Sequence, residues 1–90
     1  MKCSMLPAES IQWIKQLDTE MSFKLLGRLL SDCEYYYGYG NKRNKHLWAL
    51  HPWSQAEALE TCRDRLYSIL DKSILHEVNN YIKKLYKEEE

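Results

Sequence analysis

The stretch from Thr19 to Tyr37 constrains this chain more than any other. Met21, Phe23, Leu25, Leu26, Leu29, Leu30, Cys33, Tyr36 and Tyr37 fall within one broad arc when residues are stepped at helical spacing. Lys24, Gly27, Arg28, Ser31, Glu34 and Tyr35 share the other side. A helix apolar over so wide an arc belongs at the centre of a bundle, packed by several neighbours. Asp18 or Thr19 supplies its cap, and Glu20 sits in the first turn, where the macrodipole favours a carboxylate. Gly38 follows the last helical residue and is expected at positive φ, with Tyr39 folding back towards Cys33 and Glu34. Gly40-Asn41 is a second pair suited to positive φ, so the chain is expected to turn sharply twice.

Shorter helices surround this one. Pro7 opens a helix carrying Ile11, Trp13, Ile14 and Leu17. Ser54 and Glu57 match a capping box, after which Leu59, Cys62, Leu66, Ile69 and Leu70 form the seam of a third helix. Asp71-Lys72-Ser73 interrupts the pattern. A fourth helix then carries Ile74, Val78, Tyr81, Ile82 and Leu85 before fraying into Lys87-Glu88-Glu89-Glu90. Strand alternation, internal repeats and long linkers are missing from the sequence. The expected fold class is all-α: one domain over residues 1–90, a bundle of about four helices with a central second helix and an ordered Tyr/Gly-rich loop. Leu25, Leu26, Leu29, Leu30, Cys33, Leu66 and Ile82 are its expected core. Ninety residues, 44% of them hydrophobic, suffice for one modest core.

Charge and motif content exclude several function classes. Thirteen basic residues balance thirteen acidic ones, which argues against a bulk polyanion binder and against an acidic DNA mimic. Cys3, Cys33 and Cys62 are widely spaced and odd in number, which fits a reduced, cytoplasmic setting. Met1 to Pro7 has no apolar core of the kind a secretory leader needs, and no apolar run approaches a membrane span. Cys33, His46, His51 and Cys62 are zinc-ligand types, but their spacing fits no usual finger, and both later cysteines lie on apolar seams. No metal or cofactor is expected. Asp32 and Glu34 are two apart and do not face one another on a helix. Nucleophile elbows, phosphate loops and metalloprotease motifs are likewise missing, so no enzyme activity is expected.

What remains is the segment from Asp32 to Trp48, with four tyrosines, two glycines, a short basic cluster and a tryptophan. Its bland use is a helix cap whose tyrosines pack the end of the bundle. Its functional use is a partner-binding surface of Asp32, Tyr35, Tyr39, Asn41, Lys42, Arg43, Lys45, His46 and Trp48 at one end of the second helix. Exposed aromatics there would bind a protein. The cations flanked by Tyr39 and Trp48 would alternatively suit single-stranded nucleic acid. Tyr36 and Tyr37 are expected inside, and Tyr35 and Tyr39 outside. Asp32 is placed to accept hydrogen bonds from Arg28 or from loop N–H groups.

The run Leu25-Leu26-Gly27-Arg28-Leu29-Leu30-Ser31-Asp32-Cys33-Glu34-Tyr35-Tyr36, followed by Gly38-Tyr39-Gly40-Asn41-Lys42-Arg43 and Lys45-His46-Leu47-Trp48-Ala49, resembles the large polyvalent protein-associated domain of the eleventh kind. The similarity covers about residues 25–70. Tyr37 stands where a leucine is common, Pro52-Trp53 is unusual, and a Trp-containing segment is missing between Asp71 and Ile74. The resemblance implies a small, mostly helical module from phages, plasmids or conjugative elements of Firmicutes, and it carries over no catalytic residue. Together with the absence of catalytic motifs, it suggests a non-enzymatic module that binds a host or element-encoded protein, for example an anti-CRISPR inhibitor of host defence. The alternative is a nucleic-acid-associated accessory protein using residues 39–48.

Overall fold

A computed structural model describes residues 7–88. Met1–Leu6, read as lacking a leader's apolar core, and Glu89 and Glu90, read as part of a fraying tail, lie outside the described residues. Four helices are formed: α1 (Ala8–Gln16), α2 (Thr19–Tyr37), α3 (Pro52–Leu66) and α4 (Lys72–Tyr86), with 3-10 turns at Asn44–His46 and Tyr67–Ile69. No strand occurs among the described residues. The all-α class and the limits of the second helix are as the periodicity predicts.

Each helix start has a local cause. Pro7 is the cap of α1, its carbonyl taking the amides of Ser10 (3.0 Å) and Ile11 (3.2 Å). Asp18 caps α2 by accepting the Met21 amide at 2.8 Å. The start of α3 differs from the expected capping box. Pro52 occupies the first turn, where its missing N–H costs nothing. His51 is the cap, its Nδ1 accepting the Trp53 amide at 3.1 Å. Ser54 is therefore a buried residue within the helix rather than its cap. At the other end of α1, the guanidinium of Arg65 on α3 donates to the carbonyls of Lys15 and Leu17, which no helical amide satisfies.

The core joins Ile14 of α1, Leu25, Leu26, Leu29, Cys33 and Tyr36 of α2, Leu59, Cys62 and Leu66 of α3, and Val78, Ile82 and Leu85 of α4. Leu30 is half-buried against it. The central position expected for α2 belongs to α3, which packs against α4, α2 and α1. Ala56 and Ala58, both fully buried, leave room for neighbours to approach on more than one side of α3. Correspondingly, Met21 and Phe23, which the periodicity places on the apolar arc of α2, are exposed. Ile69 also leaves its predicted seam: the 3-10 turn after Leu66 changes the angular step per residue and turns it outward.

Leu29 is fully buried at the α2–α3 contact, so Leu29→Ala should lower stability by about 2–5 kcal/mol, measured by urea denaturation. An unchanged midpoint would place the core elsewhere. His51→Ala should cost about 1 kcal/mol through the lost cap, and His51→Asn should recover most of it.

Candidate functional site

The chain reverses after α2 by a route the sequence only partly foretells. The Gly38 amide still bonds the carbonyls of Glu34 and Tyr35, both at 3.0 Å, so the helix has not yet released it. Its φ is −99°, not the positive value expected. Positive φ falls instead on Asn41 (53°), Lys42 (57°) and, further on, Leu50 (64°). Asparagine tolerates this region because its short polar side chain hydrogen-bonds locally. The Gly40 amide reaches back to the Tyr35 carbonyl at 2.7 Å, and the Lys42 amide to that of Tyr36 at 2.9 Å. Gly40 serves space rather than φ. A Cβ there would stand 2.9 Å from the Tyr35 carbonyl oxygen and 3.0 Å from the His46 ring.

Two buried or half-buried side chains then hold the returning strand of loop. Asp32 Oδ2 accepts the Trp48 amide at 2.8 Å, and Arg28 Nε donates to both carboxylate oxygens at 3.0 and 3.2 Å. Asp32 thus has both partner types the sequence suggests for it. The next amide, that of Ala49, is taken by Gln55 Oε1 at 2.9 Å, while Gln55 Nε2 donates to the Leu29 carbonyl at 3.3 Å. Gln55 is fully buried and was not singled out by sequence. Its signal was spacing: positions 55, 59, 62 and 66 form one helical seam, and a glutamine there is buried.

The nominated side chains divide among three places. Tyr35, Tyr39 and His46 assemble at the end of α2. The Tyr35 ring lies 4.8 Å from His46, edge-on, and 6.4 Å from Tyr39. Together with Asp32, Glu34 and Lys45 they line an open depression of about 840 Å³. Tyr39 is 88% exposed and Tyr35 46%, so Tyr39 does not fold back onto Cys33 as a C-cap would require. Tyr36 is buried and Tyr37 half-buried, as expected. Trp48 points elsewhere and stacks on Trp13 of α1, with centroids 6.2 Å apart and 19° between planes. Lys42 pairs with Glu88 at 3.5 Å and lies 5.7 Å from the Tyr37 ring. Asn41 and Arg43 are exposed on the loop and do not line the depression.

The titratable groups inside the bundle are held neutral. Burial pushes the thiols of Cys33 and Cys62 from an ordinary 9.0 up to about 12. The Tyr37 hydroxyl is also raised, first by burial and then by donating to Glu88. Among the described residues, no group of three or more His, Cys, Asp or Glu is placed to hold a metal ion. No described helix is long and apolar enough to cross a membrane.

The family model of large polyvalent protein-associated domain 11 matches residues 19–73. This segment comprises α2, the loop, α3 and the first residues of α4. No curated protein and no solved structure matches the chain.

Asp32→Ala should destabilise the domain by about 1–3 kcal/mol, because the Trp48 amide loses its acceptor. Gly40→Ala should cost a similar amount, about 1–3 kcal/mol, through overpacking against Tyr35 and His46. Denaturant midpoints check both. The two raised thiols favour the folded, protonated state. Their contribution to stability is therefore full below pH 9 and is lost as pH rises from 9 towards 12. Replacing both by alanine should flatten that alkaline decline in a melting-temperature profile.

Proposed function

This chain belongs to the large polyvalent protein-associated domain 11 family, and on that premise we propose that it is a non-enzymatic protein-binding module of a mobile genetic element. The family is associated with the polyvalent proteins of mobile elements. One observation carries the binding role: Tyr39 is 88% exposed on a loop whose backbone is tied down on both sides. An aromatic ring held in water by an ordered loop is pre-organised for an interface, since little entropy remains to be lost when a partner covers it. Tyr35 and His46 extend the surface, and Glu34 and Lys45 give it charges of both signs. The neutral thiols of Cys33 and Cys62 inside the bundle support a role without catalysis. They also fit a reduced, cytoplasmic environment.

The concrete form of this proposal is an inhibitor of a host defence system, such as an anti-CRISPR. It is tested by expressing the domain in a bacterium with active CRISPR interference and counting surviving plasmid transformants. A photo-crosslinking residue at position 39 should capture one host or element-encoded protein. Tyr39→Ala and Tyr35→Ala should then weaken that complex at least tenfold, a loss of about 1.4 kcal/mol or more, with melting temperature nearly unchanged. Full affinity in both variants would remove this end of the molecule as the binding surface.

A second proposal, a nucleic-acid-associated accessory protein, draws on Arg43 and Lys45 beside the exposed rings. Lys42 lies on the other side of the loop, beside Glu88 and the Tyr37 ring, and is not part of that set. Binding through so few cations would be weak, with a shallow salt dependence. Tight, strongly salt-sensitive binding of a single-stranded oligonucleotide would favour it over protein binding.

A further inference from the structure

Glu88 lies just beyond the end of α4, where the sequence predicts a fraying tail, yet three separate elements converge on it. Its Oε2 accepts the Tyr37 hydroxyl of α2 at 3.0 Å and faces the Lys42 ammonium of the loop at 3.5 Å. Its backbone carbonyl accepts the Trp53 indole N–H of α3 at 2.9 Å. Lys42 also lies over the Tyr37 ring, as does Lys84 at 5.3 Å. Phenol, ammonium and indole are three donors from three elements. They surround one glutamate residue and read both its side chain and its main chain.

We propose that Tyr37, Lys42 and Trp53 form a recognition notch for an acidic residue of a polypeptide, filled in this chain by its own Glu88. The chemistry of the occupant supports a polypeptide over other anions. Two donors address a carboxylate and the third the main-chain carbonyl of the same residue, a pair of acceptors at the spacing an acidic residue in a peptide supplies. The notch lies on the α4 side of the loop, apart from the Tyr35–Tyr39 depression, and does not depend on that surface binding anything.

The internal occupant is exchangeable. The side chain of Lys42 is 58% exposed and that of Glu88 20%. Such an ion pair is screened by water and contributes little. The Glu88 amide bonds back to the Leu85 carbonyl, at 3.2 Å, within the last turn of the helix, where fraying competes. A partner's glutamate or aspartate arriving at the notch would displace Glu88 and free the end of α4. The notch would then couple binding at the loop to release of Glu88.

The test uses the full chain with Glu88→Ala and, as probe, the peptide acetyl-Glu-Glu-Glu-amide, followed by NMR. Saturable shifts of the Trp53 indole N–H and the Lys42 amide are expected in Glu88→Ala. The unaltered chain should show them at about fivefold or more higher peptide concentration, since its own Glu88 competes. Adding Lys42→Ala to Glu88→Ala should abolish them. Circular dichroism establishes that the variants fold. If Glu88→Ala does not, Glu88→Gln keeps the acceptor for Tyr37 and removes the charge, and the same shifts are expected in it. The proposal fails if the folded variant shows no shift at Trp53 and Lys42, or if both chains bind the peptide equally. It also fails if an oligothymidylate shifts the same signals as strongly, because the notch would then read charge alone.

Discussion

Two adjacent backbone amides, those of Trp48 and Ala49, hold the position of everything between α2 and α3. Each points inward where water is scarce, and an unpaired amide there costs about as much as a lost hydrogen bond. Asp32 satisfies one from α2 and Gln55 the other from α3. Gln55 also returns a bond to the Leu29 carbonyl. The loop is thereby fastened to both helices it connects, and Leu47 is seated in the core. The Trp13–Trp48 stack carries the same constraint on to α1. Remove either acceptor and the loop loses the reference against which Tyr35, His46 and Tyr39 are arranged.

Much of this was readable from residue types at helical spacing. The limits of α2, a cap at its start and the Arg28 partner of Asp32 follow from local rules that operate within one or two turns of chain, and the Trp48 partner from the turn that brings the loop back. What escaped depends on distance in sequence. Gln55 reads as a polar interruption of a seam until the Ala49 amide and the Leu29 carbonyl are brought to it. Glu88 reads as a solvated tail until Tyr37, Lys42 and Trp53 surround it. The hub role of α3 escaped because alanines contribute little to an apolar pattern, yet they permit close packing on several sides. Both glycines mark the turn, but neither takes the positive φ expected of it. A glycine serves either an unusual φ or an absent side chain, and sequence does not distinguish the two. Here Gly40 serves the second, and Asn41 with Lys42 takes the left-handed backbone.

The candidate surface is correspondingly narrower than the residues nominated for it. The tyrosines divide by their helical angle: Tyr36 and Tyr37 inward, Tyr35 outward, with Tyr39 beyond the helix end. The basic cluster divides as well, because the left-handed backbone at Asn41 and Lys42 sends Lys42 towards α4 while Lys45 and His46 return towards Tyr35. One continuous stretch of sequence thus supplies two chemically distinct faces. For a small domain with a single core, this division exposes two different chemistries without more chain.

The family segment stops short of a closed core. The match ends at residue 73, at the start of α4, yet the side of α3 against which Val78, Ile82 and Leu85 pack lies inside it. A fragment trimmed to residues 19–73 would carry an oily flank with nothing over it, and would be expected to clump on expression. Any stretch that stood in place of α4 over this flank would have to furnish the same lid. Such a stretch need share no sequence with α4, only a stripe of aliphatic residues at matching intervals.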